Sequence, residues 1–380
     1  MKWTDLKAAV PAPGGTYDWT LLSELIPALL ALEDTPQDPR HHAEGAVGLH
    51  TRMVLDALLD DPVWQQAAPP RREVLFLAAL LHDIAKPATT VIDPISGAIS
   101  QPGHSARGAV DARRMLWRAG MPFAEREAVC RIVAVHQVPF FAFNSRRGET
   151  PEFIVRRLSW ELRVDELACV ARADLRGRHC HDQANLLADV ALFEELAREQ
   201  GCLDAPWPAA DAHTRLMYAR GMAIGPRYPL HYEPGSAVTL LSGMPASGKD
   251  RWVQQHGAGL PVVSFDDARA ELGLVHGEND GRAAHHALDK AKALLRARKP
   301  FIWNATNLSR SLRKKALDLL FAYGAEVTIV YLEVPEAEVL RRNSRRDSTL
   351  TNANLVRMLN RWELPLPWEA HAVAYEVVGR

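Results

Sequence analysis

The feature that most constrains this 380-residue chain is a glycine-rich heptapeptide, Gly243-Met-Pro-Ala-Ser-Gly248-Lys249, set directly behind the apolar run Ala237–Ser242. A buried strand entering such a turn, with a helix behind it, lets successive backbone N–H groups wrap a phosphate chain. Gly243, Ser247 and Gly248 belong to the wrap, and Lys249 brings positive charge to the outer phosphates. The helix that follows adds its positive N-terminal end. Next in the pattern comes Ser or Thr, whose hydroxyl ligates Mg²⁺; this chain has Asp250 instead. A carboxylate can serve the same cation, directly or through a water, but it also puts negative charge beside a nucleotide.

Downstream of the loop, strands and helices alternate. Strands are expected over Pro261–Phe265, Pro300–Asn304 and Glu326–Val334, and helices over Ala283–Ala297 and Leu312–Tyr323. Such alternation predicts a parallel sheet with crossover helices. The second strand ends in Ser264-Phe-Asp266-Asp-Ala-Arg269. A carboxylate there faces the phosphate loop and can accept a proton from an attacking hydroxyl. Arg269 lies one helical turn on, ready for an acceptor phosphate. Arg342 and Arg346 are four apart in a basic helix, Arg341–Arg346, which suits a lid over transferring phosphate.

Upstream of residue 225 the texture is helical throughout. Apolar residues recur at helical spacing in Gly48–Leu59, Glu73–Ile84, Pro122–His136, Pro151–Leu162, Asp165–Asp174 and residues 182–200, with one earlier helix over Trp19–Leu32. No convincing strand is legible there. Turn-forming residues cluster at 225–229 and 233–235. The chain is therefore expected to be multi-domain: an all-α unit over 1–225, a linker over 226–236, and an α/β unit with a parallel sheet over 237–380. Formal net charge is −1 overall, split as +4 for residues 237–380 and −5 for the rest, which fits a C-terminal part that meets phosphates. Four separated cysteines read as reduced thiols. No signal peptide and no membrane span are legible, so a cytoplasmic protein without membrane partners is expected.

The helical half carries its own constellation. His82-Asp83 ends an apolar helix, His50 lies in an upstream helix, His104 opens another, His136 ends a further one, and Asp174 lies near a helix end. Imidazole and carboxylate on helical frames suit a divalent cation. Leu80-Leu-His-Asp-Ile-Ala-Lys-Pro87, Arg40-His-His-Ala-Glu-Gly45 with His50-Thr, and Gly103-His-Ser resemble the HD phosphohydrolase superfamily, in particular the HD domains fused to tRNA nucleotidyltransferases. That resemblance implies one metal on His50, His82, Asp83 and Asp174. It implies a second, in binuclear members, through His104 and His136 with Asp83 as bridge. Lys86 would neutralise phosphate charge, and Arg178 could act likewise. The ligand set implies Mn²⁺, Ni²⁺, Co²⁺, Fe²⁺ or Zn²⁺ rather than Mg²⁺. His41, His42, His179 and His181 are taken as surface or supporting groups.

The C-terminal motifs resemble the 5′-hydroxyl polynucleotide kinase family over roughly residues 237–365. By that match Lys249 binds phosphate of ATP or another NTP with Mg²⁺, and Asp266 is the general base. Arg269 grips the phosphate next to the acceptor, and Arg342 with Arg346 forms the lid. Phage-type members have Asp-Thr-Asn where this chain has Ala305-Thr306-Asn307. The order of the two units is similar to bacterial bifunctional end-healing enzymes. The implied function is phosphorylation of 5′-OH ends and removal of 2′, 3′ or 2′,3′-cyclic phosphate. The implied partners are RNA or DNA ends, single-stranded termini among them, with a ligase acting afterwards. Trp160, Trp252 and Trp303 are available to stack on bases, though each also suits packing. Two other readings stand beside this one: a small-molecule kinase fused to an HD nucleotide phosphohydrolase, and an HD part that only regulates or binds RNA.

Overall fold

The structure is a computed structural model that describes residues 1–144, 148–274, 279–345 and 350–378. It divides into two compact units, Met1–Trp207 and Pro208–Arg380. The dividing point falls earlier than the expected 225, because helix α7 (Ala212–Ala219) attaches to the second unit. Arg215 donates to the carbonyl of His371, and Thr214 Oγ1 accepts from the amide of Leu230.

The first unit is helical. Helices α1 (Val47–Leu59), α2 (Pro69–Leu81), α3 (His104–Ala119), α4 (Phe123–Val135), α5 (Val164–Arg176) and α6 (Gln183–Glu199) form its body. Helix α2 is apolar nearly all round from Val74 to Leu81, and every one of those residues is buried. A helix with no polar face belongs at the centre of a bundle. Its C-terminal end therefore delivers His82 and Asp83 into the interior. Gly177, just past α5, lies so close to α1 that a Cβ there would meet Val54 N at 2.6 Å. The expected helix over Trp19–Leu32 is broken at Pro27 into three pieces, since proline lacks the N–H that would continue it. Among the described residues of this unit a two-residue antiparallel pair, Val91–Ile92 with Ile99–Ser100, is the exception to all-α, and its strands are too short for periodicity to reveal.

The second unit is a five-stranded, wholly parallel sheet: β1 (Ala237–Gly243), β2 (Val262–Ser264), β3 (Phe301–Asn304), β4 (Glu326–Glu333) and β5 (Ala372–Val377), in spatial order β2-β3-β1-β4-β5. Crossovers run through α8 (Lys249–His256), α9 (Phe265–Glu271), α10 (Asp280–Arg296), α11 (Arg310–Ala322) and α12 (Glu336–Ser344). Apolar residues of β1, β3 and β4 pack with Ala283, Ala287, Ala291 and Leu295 of α10 and with Leu317 and Leu320 of α11. Arg313 is fully buried beneath the loop after β3. Its guanidinium is bidentate to Glu369 and donates to the carbonyls of Asn307, Leu308, Glu363 and Leu364. A buried cation so fully bonded fixes the backbone around it. No helix among the described residues is long and apolar enough to cross a membrane.

Candidate functional site

In the first unit six side chains from five parts of the chain meet in one buried cluster. His50 comes from α1, His82 and Asp83 from the end of α2, His104 from the start of α3, His136 from the end of α4, and Asp174 from α5. All four histidines place Nδ1 against a backbone carbonyl: His50 on Gly177 at 3.1 Å, His82 on Ala79 at 2.7 Å, His104 on Gln101 at 2.8 Å and His136 on Val133 at 2.8 Å. A carbonyl only accepts, so in the neutral ring the proton sits on Nδ1 and Nε2 presents a lone pair.

Those lone pairs converge. His50 Nε2 and His82 Nε2 are 3.3 Å apart. His50 Nε2 is 3.2 Å from Asp174 Oδ1, and His82 Nε2 is 3.1 Å from Asp83 Oδ2. The other oxygen, Asp83 Oδ1, faces His104 Nε2 at 3.4 Å and His136 Nε2 at 4.0 Å. Lone pairs this close repel unless a cation lies among them, and ligands about 2.1 Å from one cation sit about 3 Å from each other. Asp83 Oδ1, Asp174 Oδ2 and His136 Nε2 are buried and accept no hydrogen bond. Buried acceptors without donors are costly, so the residues present fit a divalent metal. Burial opposes charge on Asp83, yet His82 and Lys86 hold its carboxyl well below the usual range. Burial and then Arg178 and His50 act in the same opposed senses on Asp174. Burial, with His82 alongside, pushes His136 down to about 3. Asp83 and Asp174 are therefore held as carboxylates and burial holds His104 and His136 as neutral imidazoles, the protonation states that ligation needs. On His50, by contrast, burial is outweighed by the Asp174 and Glu44 carboxylates, which push its ring up.

Two cations flank the cluster. Lys86 Nζ lies 2.7 Å from Asp83 Oδ2 and donates to Gln37 Oε1 at 2.6 Å. Arg178 Nη2 lies 2.8 Å from Asp174 Oδ1, with its guanidinium over the Phe140 ring.

In the second unit the phosphate loop lies at the C-terminal edge of β1, the position where open parallel sheets bind ligands. Gly243, Ala246 and Gly248 all have positive φ, at 152°, 62° and 109°. A Cβ on Gly243 would meet the carbonyl oxygen of Leu332 at 2.5 Å, so only glycine fits where the strand turns. Lys249 Nζ folds back on the carbonyls of Gly243 and Met244, at 3.1 and 2.8 Å. Asp250, in the first turn of α8, accepts from Asn304 Nδ2 at the end of β3, at 2.8 Å. Arg342 Nη1 lies 3.5 Å from the carbonyl of Ser247, and its Nε is 2.5 Å from Glu338 Oε1. Asp266 and Arg269 form a 2.6 Å ion pair at the start of α9.

Comparison with known proteins divides the chain at the same two sites. Residues 46–175 match the HD domain family, and residues 238–365 match the family described as an AAA domain. The chain carries an HD domain and, after it, a P-loop domain. Its curated relatives include the multifunctional CCA protein of Halorhodospira halophila, 33% identical over 162 residues, which are 41% of this chain and 35% of that protein. The multifunctional CCA protein of Methylococcus capsulatus is 31% identical over 188 residues, 46% of this chain and 41% of its own length. The chain thus spans well under half the length of the curated relatives it matches. Among solved structures, a gluconokinase from Sinorhizobium meliloti is 17% identical, covers 39% of this chain and 86% of its own, and has a TM-score of 0.28, too slight a likeness to bear on activity.

The HD domain brings together every residue expected of it: His50, His82, Asp83, His104, His136, Asp174, Lys86 and Arg178. The P-loop domain places Gly243, Ser247, Gly248, Lys249, Asp250 and Arg342 around one loop, with Asp266 and Arg269 just past β2, which is separated from β1 in the sheet by β3. Arg346 lies outside the described residues. Trp303 and Trp160 are buried, Trp303 within the sheet's core, so neither is exposed for stacking. Trp252 is partly exposed and bonds Glu376. Sequence reasoning missed Gln37 and Glu44, both of which hold site residues. Of the two places expected for His42, on the surface or in support of the site, it takes the second: it is buried and 2.8 Å from Glu44. The His-x-Glu spacing six residues before His50 was the available signal.

Proposed function

We propose that this chain heals nucleic-acid ends, adding phosphate to a 5′-hydroxyl in the P-loop domain and removing 2′, 3′ or 2′,3′-cyclic phosphate in the HD domain. The observation that carries the reading is the pairing of two phosphate sites of opposite sense: a buried, cation-demanding cluster, and a phosphate loop with a carboxylate–arginine pair beyond the next strand. A removal site and an addition site on one chain make sense when both act on one polymer whose two ends are wrong.

In the HD domain His50, His82, Asp83 and Asp174 would hold one metal, and His104 and His136 with Asp83 a second. A divalent transition metal there would supply Lewis acidity toward a phosphoryl oxygen and a water. Lys86 and Arg178 stand beside the two carboxylates and offset the negative charge of a bound phosphate. In the P-loop domain the backbone of 243–248 and Lys249 cradle the nucleotide phosphates, with Mg²⁺ neutralising them. Asp266 takes the proton of the attacking hydroxyl. Arg269, released from Asp266 by an acceptor phosphate, orients the end. Arg342 closes on the transferring group, and Arg346 is assigned the same role.

The test is a short single-stranded oligonucleotide with a 5′-OH and a 3′-phosphate, incubated with the protein, labelled ATP, Mg²⁺ and Mn²⁺. Label at the 5′ end and loss of 3′ phosphate are expected. Absence of both, with phosphorylation of a small hydroxylated metabolite instead, would replace this reading by a small-molecule kinase.

A further inference from the structure

Three of the four clustered histidines are oriented locally. His82, His104 and His136 each give Nδ1 to the carbonyl three residues back, so the same backbone turn that carries the ring also aims it. His50 is different. It lies inside α1, and its acceptors come from elsewhere: the carbonyl of Gly177, 127 residues away, and the carboxylate of Glu44. Glu44 Oε1 is 3.0 Å from His50 Nδ1 and 2.8 Å from His42 Nδ1, and Glu44 Oε2 accepts the amide of His179 at 2.8 Å. The Ala43 amide also donates to the carbonyl of His179, at 2.9 Å. The Glu44 side chain is 1% exposed. A buried carboxylate is thus fixed by three donors, from the 42–44 turn, from α1 and from the stretch just after Asp174.

We infer that Glu44 is a positioning residue for His50, aiming its Nε2 into the cluster and making it the strongest donor among the four imidazoles. The inference rests on the reading of the cluster as a metal centre. A carboxylate on Nδ1–H draws the proton more strongly than a carbonyl does and raises the basicity of the far nitrogen, an effect on metal affinity of about 10–100-fold in such arrangements. Glu44 also ties the segment after Asp174 to α1, so it fixes the separation of His50 and Asp174, the two groups contributed by the ends of the domain. His42 shares the carboxylate and belongs to the same device, without being counted as a ligand.

Glu44→Gln keeps the size of the side chain and removes its charge. The full-length variant and wild type are stripped of metal, and Mn²⁺ and Co²⁺ affinities are measured by competition with a chelator. Wild type is expected to bind tightly, Glu44→Gln to bind about 10–100-fold more weakly, and Glu44→Asp to recover part of the loss. The visible spectrum of the Co²⁺ form should shift in Glu44→Gln, whereas a residue that only supported packing would leave it unchanged. Equal affinities and spectra in wild type and Glu44→Gln would overturn the inference. Failure of wild type to bind either ion would overturn the metal reading itself, so the two failures are separate. Should Glu44→Gln not fold, ¹⁵N NMR of metal-free wild type decides. The proton on His50 Nδ1 should resonate further downfield than those of the other three rings, and its absence there would sink the proposal.

Discussion

At the residue scale the departure that matters is Asp250. It occupies the place where a hydroxyl is expected to meet Mg²⁺, and Asn304 holds one of its oxygens at 2.8 Å. A unit negative charge about 4 Å from another costs about 1 kcal/mol in water and more where solvent is excluded. A metal-free triphosphate should therefore be repelled, and the metal complex accepted because the cation meets both partners. Asp250→Ser is expected to strengthen binding of ATP in EDTA by about fivefold or more, while weakening the gain that Mg²⁺ brings. Isothermal titration with and without Mg²⁺ measures both, and an unchanged Mg²⁺ dependence would show that Asp250 plays no part. This residue was legible in the sequence because it interrupts a local pattern. Gln37 was not, and the spacing before His50 marks Glu44 without showing its role, because what both do depends on partners that the fold brings from far along the chain. The Glu44–His179 bond spans 135 residues.

At the scale of elements, the HD cluster was readable because most of its residues, His82, Asp83, His104, His136 and Asp174, sit at or near helix ends. Helix α2 is the clearest case: its buried stretch from Val74 to Leu81 requires a central position, and His82-Asp83 follow directly. What could not be read was how closely α5 approaches α1. Gly177 sets that distance. Its φ of −79° is open to any residue, so the requirement is space, not conformation. A methyl group would press on Val54 N at 2.6 Å, on Val54 Cγ2 at 2.7 Å and on Met53 C at 2.9 Å. Two of those atoms are backbone and cannot rotate away, so α5 must shift. Gly177→Ala is expected to cost about 1–3 kcal/mol in chemical unfolding of the HD domain. It should also weaken metal binding, since the Gly177 carbonyl orients His50 and Asp174 is three residues upstream. Intact stability and metal affinity would mean that the domain yields there more easily than its packing implies. In the P-loop domain β5 went unread for a different reason. It is a six-residue edge strand whose residues alternate between exposed and half-buried, and its apolar run, Ala372–Tyr375, is only four residues long. Helix α7 was hidden by the turn-rich sequence that follows it.

At the scale of the whole molecule, each unit has its own buried interior and its own site, and the six-residue cluster and the phosphate loop use disjoint sets of side chains. Different donors imply different cations. Imidazole with carboxylate favours transition metals, and oxygen donors around a triphosphate favour Mg²⁺. Asp83 offers an oxygen to each half of the cluster, so Asp83→Ala should reduce phosphate removal by about 10³-fold or more, in line with losing a principal ligand, with 5′ phosphorylation left within twofold. Asp266→Ala should do the reverse, because Asp266 is the proposed general base and loss of such a base costs about 10²–10⁴-fold. Both activities are read on the same doubly defective oligonucleotide, with each metal titrated in turn. Mg²⁺ alone should support the kinase step, and phosphate removal should need Mn²⁺, Co²⁺ or Ni²⁺. One variant silencing both reactions, or one metal profile for both, would mean that the sites are coupled through something the separate interiors do not reveal. If each variant silences only its own reaction, the two chemistries are independent, and the order in which an end is healed follows from substrate release rather than from communication between the sites.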